Sequence, residues 1–60
     1  MNKFNTNEIV RGTNAGVFVI LGTRTVGEEA GYQVKAVNPA NLSETARGEM
    51  FFTPDMLKVY

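Results

Sequence analysis

The densest apolar run in the chain is Val17-Phe18-Val19-Ile20-Leu21, bracketed by Gly16 and Gly22. It is short, rich in β-branched residues and bounded by turn formers, which predicts a strand rather than a helix. Glu8-Ile9-Val10-Arg11 reads as a shorter strand before it, joined through Thr13-Asn14-Ala15-Gly16, a sequence with turn chemistry. Residues 23–31 are mostly polar with two glycines and read as a loop. Tyr32-Gln33-Val34-Lys35-Ala36-Val37 alternates for most of its length and ends at Asn38-Pro39, since proline cannot donate to a ladder. Asn41-Leu42-Ser43-Glu44 has the form of a capped helical turn, with Asn41 as cap and Glu44 reaching back. Residues 47–52 make the next strand. Phe52-Thr53-Pro54-Asp55-Met56-Leu57-Lys58-Val59 then reads as strand end, proline-started 3-10 turn and short final strand, with Phe52 and Leu57 pointing inward across the turn.

No window of about 11 residues carries a helical period. The expected fold is therefore all-β: a small five-stranded antiparallel barrel with a C-terminal 3-10 turn. It forms one domain over residues 1–60, with 1–7 as a flexible or loosely packed lead-in.

A register follows if the strands pair as a meander. Centring the second hairpin on Leu42 sets Val34 opposite Met50, Tyr32 opposite Phe52 and Ala36 opposite Gly48 on one apolar face. The other face then pairs Lys35 with Glu49, Gln33 with Phe51 and Val37 with Arg47, placing unlike charges across from each other. Extending the alternation into the preceding strand places Val17, Val19 and Leu21 in the core. Phe18 and Ile20 then face outward with Val37 and Phe51, among Gln33, Lys35, Arg47 and Glu49. Such an outer apolar patch marks an interaction surface, unless a bulge reverses part of a strand or the segment carrying Phe4 folds over it.

The ending, an apolar residue, a proline-containing 3-10 turn and an apolar pair leading into the last strand, resembles the close of Src-homology-3-like small barrels. The resemblance implies the fold and is silent on function. Within that superfamily the layout is similar to the plasmid-borne, trimethoprim-insensitive dihydrofolate reductases, which share a Gly-Tyr-x-Val strand, here Gly31-Tyr32-Gln33-Val34. That family builds its active site from a Val-Gln-Ile-Tyr strand in a homotetramer. The matching strand here is Gly48-Glu49-Met50-Phe51-Phe52, so the activity does not carry over.

Composition narrows the chemistry. The chain has 60 residues, so its core is thin and extra apolar surface is expected to be shared with a partner. Cysteine and histidine are absent, which removes disulfides, thiolate ligands, the commonest metal ligand and the commonest general base. Ser43, the sole serine, therefore has no base to activate it. Glu28 and Glu29 are adjacent in a loop and point apart, and the glycines lack phosphate-loop spacing. No apolar run is long enough for a membrane span, and the first residues lack a signal peptide's apolar stretch, so a cytoplasmic location is expected.

Six basic and six acidic residues cancel, unlike the strongly basic balance typical of phosphate-gripping domains. The expected function is a non-enzymatic binding or assembly module, without metal or cofactor. It would act through self-association or capture of a protein partner, with contact residues Phe18, Ile20, Lys35, Val37, Arg47 and Phe51. The alternative is a small nucleic-acid-binding regulator using Arg24, Lys35 and Arg47 beside stacking aromatics. An enzyme assembled only on oligomerisation ranks third.

Overall fold

The computed structural model describes residues 4–12 and 16–60. Its strands are β1 (Ile9–Gly12), β2 (Val17–Val26), β3 (Glu29–Val37), β4 (Glu44–Phe52) and β5 (Leu57–Val59), with a 3-10 turn over Pro54–Met56. All pairings are antiparallel, in one sheet of order β4-β3-β2-β1-β5. The fold is thus all-β, as expected. The end strands β4 and β5 do not pair with each other, so the sheet is not closed. Among the described residues no helix is long and apolar enough to cross a membrane, which says nothing of spans made by strands. The turn expected at 13–16 lies, for residues 13–15, outside the described residues. At its mouth the Gly12 amide donates to the Gly16 carbonyl at 2.9 Å.

Residues 23–31 are not a loop. β2 runs on to Val26 and turns through Gly27-Glu28 into Glu29, its cross-strand partner. Thr23, Thr25 and Val26 are β-branched and suit a strand. Gly27, with φ of 62°, occupies the first central position, as a type II′ connection asks. From this tip the pairing is regular as far as Gly22 opposite Gln33. The next pair is Ile20 opposite Val34, leaving Leu21 as a bulge. Without the bulge, Leu21 would face Val34 and Val19 would face Ala36. With it, Ile20 and Phe18 take those places, because a one-residue shift sends side chains to the other face. The expectation that Val17, Val19 and Leu21 form the core and Phe18 and Ile20 face out is thereby reversed. Phe18 and Ile20 are buried, whereas Val17, Val19 and Leu21 are partly exposed.

The core joins Val10, Phe18, Ile20, Tyr32, Val34, Ala36 and Leu57, with Met50 and Phe52 packed against them. Phe18 and Phe52 meet edge to face, centroids 5.1 Å apart. Pro54 starts the 3-10 turn and Leu57, just after it, is 1% exposed. Phe4 also belongs to the core, although the lead-in was expected to be loose. It packs edge to face on Tyr32, with centroids 5.5 Å apart, and its amide donates to the Tyr32 hydroxyl at 3.0 Å. A turn holds it there: the Glu8 amide donates to the Asn5 carbonyl, the Asn5 amide to Glu8 Oε1, and Asn7 takes a φ of 72°. The Asn7 amide then donates to the Ile20 carbonyl, and the Ile20 amide to the Glu8 carbonyl, extending the β1–β2 ladder.

The β3–β4 register is as expected from Tyr32–Phe52 through Gln33–Phe51 and Val34–Met50 to Lys35–Glu49. Beyond that it departs. Ala36–Gly48 and Val37–Arg47 do not form, and Val37 faces Glu44 instead. The cause is a tighter loop. The Asn38 amide donates to the Ser43 carbonyl, the Asn38 carbonyl accepts from the Leu42 amide at 2.6 Å, and Leu42 takes a φ of 59°. Asn41 caps no helical turn: its Oδ1 accepts from the Ser43 amide and hydroxyl, while Glu44 turns to Lys35. The early closure leaves residues 45–48 as surplus on β4, held by the Thr45 hydroxyl donating to the Ala36 carbonyl at 3.2 Å.

Two truncations test this packing by chemical denaturation. Phe4→Ala is expected to cost about 3–5 kcal/mol and Leu57→Ala about 2–5 kcal/mol. Either is a large share of the roughly 5–15 kcal/mol that holds a domain together. A Phe4→Ala variant with an unchanged midpoint would remove Phe4 from the core.

Candidate functional site

With Phe18 and Ile20 inside, the face opposite the core has a different composition from the expected one. The register places Val17 and Val19 there from β2, Gln33, Lys35 and Val37 from β3, and Glu49 and Phe51 from β4. Of the residues expected to meet a partner, Phe18 and Ile20 belong to the core cluster and are unavailable. Val37 keeps its outer register position but is 4% exposed, so it too is withdrawn from contact. Lys35, Arg47 and Phe51 remain accessible in part or in full. The register carried over from the β3–β4 hairpin took no account of the bulge and chose the wrong half of 17–21, so Val17 and Val19 were missed. Gly22 was the available signal, since a glycine inside a strand pattern marks a bulge.

Phe51 does not stand free. It lies opposite Gln33, and the diagonal neighbour on β3 is Gly31, within reach of an aromatic ring. A Cβ built on Gly31 would lie 2.7 Å from Phe51 Cζ and would run into the Phe52 carbonyl oxygen. The missing side chain is what lets the ring lie down. Phe51 is consequently half-buried against its own sheet, with its remaining surface outward.

Polar side chains frame this ring. Arg24 Nη1 donates to Gln33 Oε1 at 3.1 Å, and Gln33 Nε2 donates to Glu49 Oε1 at 3.1 Å, so a three-residue ladder crosses β2, β3 and β4. Lys35 and Glu49 are backbone partners as expected, but the ammonium group pairs with Glu44, Nζ to Oε1 at 3.0 Å. That pair is largely solvated and contributes under about 1 kcal/mol. Its effect is geometric: it ties β3 to the far end of β4. Arg24 and Lys35, two of the three cations expected to grip a phosphate backbone, thus already have partners in their own chain. Arg47 is exposed and makes no ion pair among the described residues.

One shallow depression of about 270 Å³ lies beside this face, between the β2–β3 hairpin and the 3-10 turn, lined among others by Thr23, Arg24, Thr25, Tyr32 and Pro54. No buried polar side chain points into it. Among the described residues no three acidic, cysteine or histidine side chains cluster as metal ligands would. Compared with protein-family models, curated proteins and solved structures, the chain matches none.

The contact between Phe51 and Gly31 is testable by stability alone. Gly31→Ala is expected to cost about 1–3 kcal/mol through overpacking. Adding Phe51→Ala should not restore the loss, because the Phe52 carbonyl remains in the way. A Gly31→Ala variant as stable as the parent in a urea titration would contradict the close approach.

Proposed function

We propose that the chain is a non-enzymatic binding or assembly module that works through protein contacts on the outer face of β3 and β4. The observation that carries this reading is that two of the three cations expected to grip a phosphate backbone are already engaged by side chains of the same face. Arg24 is held by Gln33, Gln33 by Glu49, and Lys35 by Glu44. What remains is an ordered polar frame around the half-exposed Phe51 and the partly exposed Val17 and Val19. A surface with apolar centres, on which Arg24 and Lys35 already have partners, suits a protein partner better than a phosphate backbone, which rewards cations that are free to pair with it. Two features support reading the sheet as a Src-homology-3-like small barrel. They are the return of β5 beside β1 and the Pro54 turn that leads into it. This architecture would be the scaffold and would not choose the partner.

Salt dependence separates the two classes of partner. Sedimentation velocity is run at about 50 mM and 200 mM salt, alongside anisotropy of a labelled single-stranded oligonucleotide. A protein contact is expected to change by less than about tenfold. Three phosphate contacts through Arg24, Lys35 and Arg47 would lose about eighteenfold over a fourfold rise in salt, at a slope of about −0.7 per contact for a single strand. Phe51→Ser is expected to keep the fold, at a cost of about 1 kcal/mol for its half-buried ring, and to weaken association at least tenfold. Tight, steeply salt-dependent oligonucleotide binding would overturn the reading.

A further inference from the structure

We infer that the partner is a second copy of this chain, and that the acidic tip of one copy's β2–β3 hairpin docks on the outer face of β1 and β5 of the other. The inference rests on the protein-contact reading, names its partner and carries the contact from β3 and β4 to β1 and β5. The hairpin end is an arm. Its rungs run from Thr23–Tyr32 to Val26–Glu29, yet every residue from Thr23 to Ala30 is exposed. A two-stranded ribbon is marginal on its own, so a bare one gains from a second surface. Its end carries Val26, 47% exposed, beside Glu28 and Glu29. Among the described residues neither carboxylate forms an ion pair.

The receiving surface follows from the β1 register. Val10 is fully buried, so its neighbours Ile9 and Arg11 face outward, opposite Val19 and Val17 of β2. Lys58 follows the buried Leu57 and lies directly opposite Arg11. Two exposed cations thus face each other across strands, which is unfavourable by itself. Among the described residues no carboxylate pairs with either, and the ion pair there joins Lys35 to Glu44. The six acidic residues all lie within 4–12 and 16–60, so residues 1–3 and 13–15 bring none. Beside the two cations, Ile9, Val17 and Val19 are partly exposed. The patches match in kind: two carboxylates next to an apolar residue, and two cations next to an apolar floor. They match in spacing as well. Consecutive Cα atoms on the tip are about 3.8 Å apart, and cross-strand neighbours on β1 and β5 about 5 Å, so each carboxylate can reach one cation. Val26 covering the valines supplies what exposed ion pairs alone do not. The two patches differ, so the contact either closes reciprocally in a dimer or runs on from copy to copy.

Charge reversal on each side, followed by mixing, tests the contact. Sedimentation velocity on the full chain at about 50 mM salt, where exposed charges are weakly screened, compares the parent with Glu28→Lys/Glu29→Lys, with Arg11→Glu/Lys58→Glu and with an equimolar mixture of the two variants. A thermal melt on each establishes folding. The parent is expected to self-associate. Each variant alone opposes like charges and should associate at least tenfold more weakly than the parent. In the mixture each tip meets a face of opposite charge, and affinity should return to within about threefold of the parent's. Lys58→Gln, which introduces no new charge, keeps the test decisive if a reversal unfolds the chain. It relieves the opposition to Arg11, so the melting midpoint of dilute protein should hold or rise while association weakens. Association indifferent to the reversals and to Lys58→Gln, or not recovered on mixing, would overturn the tip contact. If Phe51→Ser still weakened association in that case, self-association through β3 and β4 would stand. A parent that stays monomeric at millimolar concentration would overturn the second copy as partner, leaving only capture of a different protein.

Discussion

Leu21 is the residue on which the arrangement turns. Between Gly22 opposite Gln33 and Ile20 opposite Val34 the β2–β3 ladder gains one residue on β2 and none on β3. Everything N-terminal to the bulge is thereby rotated by one position. Phe18 comes inward to meet Phe52, Ile20 comes inward over Val34, and Val17 and Val19 go out. In a chain of 60 residues the difference matters, because a core this small has few large side chains to draw on. Ile20 takes the place of Leu21, an equal in size, but Phe18 takes the place of Val19 and buries more apolar area, and area removed from water is the dominant favourable term.

The same economy explains the N-terminal segment. One sheet has two faces, and burying one of them needs a cover. Among the described residues there is no α-helix to provide it, so the cover is assembled from pieces. Phe4 closes over Tyr32 at one place, and Leu57, delivered by the Pro54 turn, closes another. The Tyr32 hydroxyl meets the Phe4 amide, so the polar tip of a buried ring and a buried amide satisfy each other. The turn at Asn5–Glu8 is therefore part of the core's construction rather than a loose lead-in.

The parts of this structure legible in the sequence are those where alternation was unambiguous. From Tyr32 to Lys35, and again from Glu49 to Phe52, a one-residue slip would have exposed tyrosine and valine or buried lysine and glutamate. The pairing read there is the one observed. Residues 17–21 are apolar at every position, so both phases are equally hydrophobic and the pattern has no power to choose. Thr23 to Val26 was read as loop because its residues are polar, although threonine fits a strand through its branched carbon. Phe4 was a lone apolar residue in a polar segment with no period to reveal it, and its place is set by Tyr32, distant in sequence. At the candidate site, Lys35 and Phe51 keep their outer register positions and Arg47 stays exposed. Phe18 and Ile20 were assigned outward through the ambiguous run and are not there.

The two open edges of the sheet are unlike. β5 is only Leu57–Val59, too short to template much. β4 is long, and a long exposed edge invites indiscriminate pairing unless something opposes it. Here Glu44, Arg47, Glu49 and the surplus at 45–48 oppose it. Charges on an edge do not repel every partner equally, however. They reject the registers that bring like charges together and accept one that matches them. The charged side chains and the bulge along β4 are thus the features that blunt this edge.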